Sequence, residues 1–292
     1  MSIVSKRFPD DYTFRHKLGI WSIRFSAWLV LFFLILPILV IIPLSFNAEP
    51  FFSFTRGMLA LDPDAYSLRW YAAIVENENW MLAIQNSFIV GIFATLIATA
   101  LGTLAAVGLS SRDMPFKRAI MALLLSPMIV PLIIIAAGMF FFYTKFNLAG
   151  SYLGLIIAHA ALGIPFVIIT VTATLSGFDR SLYFAGLSMG ASPIKTFFDV
   201  VVPLIRPGVI SGAMFAFVTS FDEVVVVLFL AGPGQRTIPR QMFSGLREQI
   251  NPTILAVATL LILVSVLFLV TLELLRRRSE RLRGLEAVRC VE

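Results

Sequence analysis

The sequence predicts an all-helical integral membrane protein with six membrane-spanning helices and both termini in the cytoplasm. Three observations carry that expectation. Hydrophobic residues make up 59% of the 292 residues and charged residues only 14%, against roughly 45–50% and about 25% in soluble domains, and the mean hydropathy is +0.91. Six apolar runs are each long enough to cross a bilayer, which takes about 20 residues of helix. Lysine and arginine are divided very unequally between the two sides of those runs. One core of this chain length could not hide so much apolar surface, which excludes a soluble enzyme.

Taken in order, residues 1–24 form a polar N-terminal segment and 25–47 the first span. The apolar run from Phe25 to Ala48 is longer than the 7–15 residues of a signal-peptide core, and no small-residue cleavage site follows Pro43, so it reads as uncleaved. Residues 48–80, with Asp62-Pro63-Asp64, form an external loop. The runs Asn79–Ser111, Ala119–Thr144 and Phe146–Phe178 supply the second, third and fourth spans. A fifth, from Pro207 to about Ala231, is interrupted by Asp222 and Glu223, and a sixth covers Gln249–Leu272. Between them, Gly232 to Ile250 holds Gly232-Pro233-Gly234 and a short surface helix. Spans two to six make a core over 81–275, and 276–292 is a basic tail. Pro37, Pro43, Pro127, Pro131 and Pro165 lie within spans, where neighbouring helices can satisfy the freed carbonyls.

Seventeen basic residues fall on one side, before the first span, between spans two and three, between four and five, and in the tail; six fall on the other. The positive-inside rule therefore puts both termini in the cytoplasm. This distribution also accounts for the net charge of +6 without nucleic acid as a partner, because the basic residues flank apolar runs and form no separate basic domain. The single cysteine, Cys290, cannot make an intrachain disulfide. With only His16 and His159 available, neither a metal set nor a nucleophile–base pair assembles. No GxxxxGK[ST] segment occurs, so this chain has no phosphate-cradling loop and no cofactor of its own.

The cytoplasmic loop at 177–206 is the most informative segment. It reads as two short helices around a turn, in which Gly190 takes a positive φ and ends the first. Ser192 caps the second, with Pro193 at its first position, and Pro203 and Pro207 are expected to stop it. The pattern Gly190-Ala191-Ser192, Phe197 and Pro203 between two late spans resembles the "EAA" loop of permease subunits of binding-protein-dependent ABC importers. Of the opening triplet only Ala185 is kept, since the chain has Phe184-Ala185-Gly186. The resemblance covers roughly 80–275. It implies the type I ABC importer permease fold, with a loop that docks on a separate ATPase. It further implies a second homologous permease, two ATPase subunits that carry ATP-Mg, and an external solute-binding protein.

Asp222 and Glu223 stand about 22–24 Å along the fifth span from Pro207, in its outer half. A carboxylate in hydrocarbon is expensive and faces a cavity or a partner. His159, about a third of the way down span four, is the titratable group at similar depth. The acidic pair therefore either lines a path for a cationic solute or bonds to His159, serine or threonine and holds helices together. The run Ser220-Phe221-Asp222-Glu223-Val224-Val225-Val226-Val227, with Gly232-Pro233, Ile238-Pro239 and Asn251-Pro252, resembles the second permease of spermidine/putrescine-type importers. That implies a polyamine substrate; importers of opines, aminobutyrate and other amino-acid-like solutes are similar here. An ion-coupled carrier or channel is the reading from another class. It would show repeated halves or discontinuous spans, and the sequence has no internal repeat.

Overall fold

In hydrocarbon every backbone N–H and C=O needs a partner within the protein, so apolar runs of this length become helices. The computed structural model describes residues 14–111, 114–177, 179, 181–248 and 251–282. Among these the chain is helical apart from turns and one antiparallel bridge, Asn47 to Tyr66. The helices are α1 (Phe14–Leu44), α2 (Arg56–Leu59), α3 (Arg69–Glu76), α4 (Glu78–Leu109), α5 (Lys117–Leu125) and α6 (Leu132–Thr144). They continue as α7 (Tyr152–Ser176), α8 (Ser181–Ser188), α9 (Pro193–Thr196), α10 (Val202–Asp222), α11 (Val225–Leu230), α12 (Ile238–Glu248) and α13 (Thr253–Leu282). Of the sequence features, Lys6, Arg7, Arg112, Arg180, Arg283, Arg289 and Cys290 lie outside the described residues.

Four expectations about the spans are corrected. The third run is not one straight helix: Lys117–Met128 and Leu132–Thr144 meet at 98°, because Pro127 and Pro131 remove two backbone donors where the chain turns. The fifth is not continuous either. α10 ends at Asp222, Glu223 is extended (φ −74°, ψ 123°), and α11 begins two residues later. Pro203 and Pro207, finally, do not stop the helix that begins at Pro193, which runs unbroken to Asp222. A single π turn, Phe197–Val201, precedes Pro203 and absorbs the missing N–H at the first turn of α10. The first helix also starts earlier than expected, at Phe14.

The core is the packing of α4, α7 and α10. Gly208, Gly212, Ala216 and Ser220 recur every fourth residue on α10 and form its buried stripe. They face Thr174, Thr170, Gly163 and His159 of the antiparallel α7. Small residues are what allow helix backbones to approach closely where lipid gives no hydrophobic drive. A Cβ on Gly212 would stand 2.8 Å from the Cα of Val167, and one on Gly163 3.0 Å from the Cβ of Ala216. α1 stands largely apart, with its apolar side chains exposed from Leu18 to Leu39, and touches α13.

The 45–80 segment folds into a small cap. Asn47 Nδ2 donates to the carbonyls of Phe51 and Ser53, both at 3.1 Å, and Trp70 Nε1 donates to the Asn47 carbonyl at 2.7 Å. A second polar assembly clasps the segment after α11. Asn86 of α4 donates to the carbonyls of Gly234 (2.9 Å) and Arg236 (2.8 Å) and accepts from Tyr152 Oη at 2.7 Å. Ser87 Oγ accepts from the Ile238 N–H, and Arg240 Nη1 donates to the carbonyls of Ala231 and Gly232.

Two outcomes follow from this packing. Gly212→Val should cost about 1–3 kcal/mol by overpacking the α7–α10 seam, read as a lower melting temperature of the purified complex. Gly108→Ala, where nothing lies within 4 Å, should not lower it. Asn86→Ala leaves the Arg236 carbonyl without its donor, although Tyr152 Oη still donates to the Gly234 carbonyl at 3.1 Å, so it should destabilise the clasp by about 1–3 kcal/mol. Hydrogen exchange at 231–238 should then rise while exchange in the α7–α10 seam stays slow.

Candidate functional site

About 100° around the helix from its buried stripe, α10 exposes Leu204, Phe215, Val218 and Asp222. These positions fall within about 60° of one another at 100° per residue, so they form a single line down the helix. All but Asp222 are apolar. The last carbonyls of a helix lack intrahelical donors and carry the negative end of its dipole. Asp222 adds a full negative charge at that end.

The two acidic residues part company at the break. Asp222 is exposed, whereas Glu223 is only 8% exposed and its Oε1 accepts a hydrogen bond from the Val226 N–H at 2.9 Å. Glu223 thus ties off the N-terminus of α11, whose first N–H groups would otherwise be orphaned in an apolar setting. Val226, Val227 and Leu230 of α11 are buried against α6, α7 and Val90 of α4. The valine run is therefore the core side of a short helix, and Glu223 is the carboxylate that lets it begin there.

His159 does not reach the acidic pair by hydrogen bond. It is 1% exposed, inside the α7–α10 contact, and its Nδ1 shares a 2.8 Å hydrogen bond with Ser220 Oγ. The pairing is also a depth gauge. His159 lies seven residues into α7, so Ser220 sits about 10 Å, and the end of α10 two residues later about 7 Å, from that end of the bundle. The Gly150 N–H, just before α7, donates to the Leu230 carbonyl at 2.7 Å, so α11 covers the remaining distance. Among the described residues no three His, Cys, Asp or Glu side chains gather as a metal set.

At the other end of α10, the 177–206 loop folds from local rules. Asp179 Oδ1 accepts from the Ser181 N–H at 2.9 Å, and this bonding holds the Asp179 carboxyl below its ordinary range. Gly190 has φ +85°, and Ser192 Oγ accepts from the Lys195 N–H at 3.3 Å with Pro193 at the first helical position. α8 and α9 meet where Gly186 faces Thr196, whose Cγ2 would be 2.7 Å from a Cβ at 186. Tyr183 and Phe197 pack onto the α4–α7–α10 core. Ala185 and Pro203 are exposed and Ala191 is half-buried. The outer surface of the loop carries Phe184, Met189, Ile194 and Phe198, with Met189 83% exposed.

Sequence reasoning missed Asn86, Ser87, Tyr152, Ser220, Arg240 and Gly186. An Asn-Ser pair inside an otherwise apolar span was a signal for the first two, since buried polar side chains in a membrane find partners. Nothing local announced the carbonyls they bind, which lie about 150 residues away along the chain.

Residues 98–281 match the family described as "Binding-protein-dependent transport system inner membrane component". The putrescine transport system permease protein PotI of Escherichia coli (strain K12) is 29% identical over 272 residues, covering 88% of this chain and 92% of that protein. The spermidine/putrescine transport system permease protein PotC of Shigella flexneri is 27% identical over 252 residues, covering 86% and 92%. A bacterial ABC transporter that imports the acidic polysaccharide alginate shares the fold, with a TM-score of 0.68, 14% identity and coverage of 90% of this chain and 98% of that one. The chain belongs to the binding-protein-dependent transport system inner membrane components: it is a multi-pass permease subunit of a bacterial ABC importer, a transport component and not an enzyme, similar to the polyamine systems.

Proposed function

We propose that this permease carries a small cationic amine, a polyamine such as putrescine or spermidine, across the inner membrane, with Asp222 as the charged group of its path. The observation that carries the reading is the exposed Asp222 carboxylate at the broken end of α10, heading a line whose other exposed members, Leu204, Phe215 and Val218, are apolar. A carboxylate there cannot face lipid cheaply, so that face belongs to a wet path or to a partner subunit. A helix C-terminus inside the membrane favours cations in the same place. The names of the PotC and PotI relatives support the same solute class.

In this reading both termini are cytoplasmic and the chain pairs with a second homologous permease. Two ATPase subunits carry ATP-Mg, and an external binding protein delivers the solute. The exposed apolar surface of Phe184, Met189, Ile194 and Phe198 is the face that seats on an ATPase. Gly190 and Ser192 shape the turn, and Ala185, Ala191, Phe197 and Pro203 belong to the same docking loop. Glu223 and His159 act in the path only through the structure they hold.

Uptake of labelled putrescine by the complete complex in proteoliposomes tests this directly. A charge-assisted contact is worth about 1.5–3 kcal/mol, so Asp222→Asn should lower uptake about ten- to a hundredfold. Glu223→Gln keeps the oxygen that caps α11 and should leave uptake within about threefold of the wild type, under 1 kcal/mol. Equal losses in both variants would return the pair to a shared role. Uptake without ATP would instead favour an ion-coupled carrier or channel. ATP-driven uptake of an opine or aminobutyrate but no amine would keep the importer and replace the substrate.

The loop is tested separately. A Cβ at Gly190 meets nothing within 4 Å, so the penalty of Gly190→Val is backbone strain at positive φ, about 1–2 kcal/mol. Gly190→Val should uncouple transport from ATP hydrolysis, whereas Gly190→Asn, whose side chain tolerates that conformation, should retain more coupling. Uptake per ATP hydrolysed is the measurement.

A further inference from the structure

The line of exposed residues headed by Asp222 holds one aromatic ring. Phe215 lies seven residues before Asp222, hence about 10 Å inward and about 20° around the helix from it. It is 46% exposed. Phe166 of α7 stacks against it, with ring centroids 6.3 Å apart and planes at 21°. One side of Phe215 is thus held by a second ring while much of the residue stays open on the face that carries the carboxylate.

The other aromatic residues of α10 are placed differently. Phe217 and Phe221 stack on each other at 5.3 Å, Phe217 stacks on Phe268 of α13 at 5.1 Å, and Phe221 meets Phe88 of α4 at 5.3 Å. That group fills the contact between α4, α10 and α13 and turns away from the line of Asp222. Ordinary packing accounts for it. Phe215 has no comparable enclosure and shares a face with a group that cannot look into lipid.

An aromatic face attracts an ammonium group through the ring quadrupole, more strongly where water is scarce. We infer that the stacked Phe166–Phe215 pair is a second recognition station for an organic ammonium ion, receiving it on the Phe215 ring after it leaves Asp222. The inference rests on the proposed amine path and adds its next step inward. A neutral aromatic station suits this position because a second carboxylate would hold the cation too tightly to release it. Phe166 fixes the ring orientation, so it is a positioning residue and need not touch the solute.

Ring fluorination separates this role from packing, because it drains the quadrupole while hardly changing shape. The complete complex is prepared with 4-fluoro-, 3,5-difluoro- and 3,4,5-trifluorophenylalanine at position 215, and ATP-driven uptake of labelled putrescine is measured in proteoliposomes. The maximal rate should fall stepwise with fluorine number, by about three- to tenfold across the series. Phe215→Trp should retain transport and Phe215→Leu should lose it, and the same fluorination at Phe217 should have no effect. A flat series at 215 with putrescine uptake intact overturns the station and leaves the amine path standing. A flat series combined with loss in Phe215→Leu assigns the ring to apolar closure, which also overturns it. If the wild-type complex moves no cationic amine, the substrate reading fails and the station fails with it.

Discussion

Close approach of α7 and α10 is the constraint on which the rest of the molecule depends. Lipid provides no hydrophobic force to bring two apolar helices together, so their association rests on contact area and hydrogen bonds. The four-residue spacing of Gly208, Gly212, Ala216 and Ser220 removes side-chain bulk along one stripe and lets α10 lie on α7. Ala98 joins this contact from α4, where a Cβ on Gly163 would be 3.2 Å from its own. With that stripe buried on α7 and the Phe217–Phe221 side packed on α4 and α13, the line of Leu204, Phe215, Val218 and Asp222 is the one left facing outward. The position of Asp222 therefore follows from both contacts of α10.

Ending a helix inside a membrane creates a debt of unsatisfied backbone groups. At the break after Asp222 the chain meets it unequally on the two sides. Glu223 satisfies the Val226 N–H at the start of α11, and the Gly150 N–H satisfies the Leu230 carbonyl at its end. The polar clasp of Asn86, Ser87, Tyr152 and Arg240 then fixes the segment that follows. The side left open is the C-terminal end of α10, where dipole and carboxylate have the same sign. Two adjacent acidic residues thus have opposite duties, one buried and structural, one exposed.

How much of this was legible in the sequence follows from the range of each cause. Span number, the loop turn at Gly190 and the cap at Ser192 are set by composition and by residues within four positions of one another, and these were readable. The continuity of the helix through Pro203 and Pro207 was not. Proline rules describe an isolated helix, and the π turn at Phe197–Val201 reconciles them with a continuous axis. The break at Glu223 was hidden for the converse reason, since Val224 to Val227 looks like uninterrupted span. Discontinuous spans are a feature of ion-coupled carriers, yet they occur here in an ABC importer permease. The roles of Asn86 and Tyr152 depend on carbonyls supplied from the far end of the chain, which periodicity does not encode.

The helix that begins at Pro193 is continuous as far as Asp222, so under the proposed function the docking loop and the path carboxylate sit on one element about 45 Å long. α11 does not share it: Val226, Val227 and Leu230 are packed into α6 and α7, and the segment beyond is held by the clasp. A displacement of the loop is thus delivered directly to Asp222 and Phe215, with the π turn as the one irregularity on the way. Relative motion must be taken up where the helix is interrupted, at Glu223 and Val224. The buried carboxylate that caps α11 keeps the stationary side of that joint intact, which explains why an acidic residue belongs there even though it does not face the path.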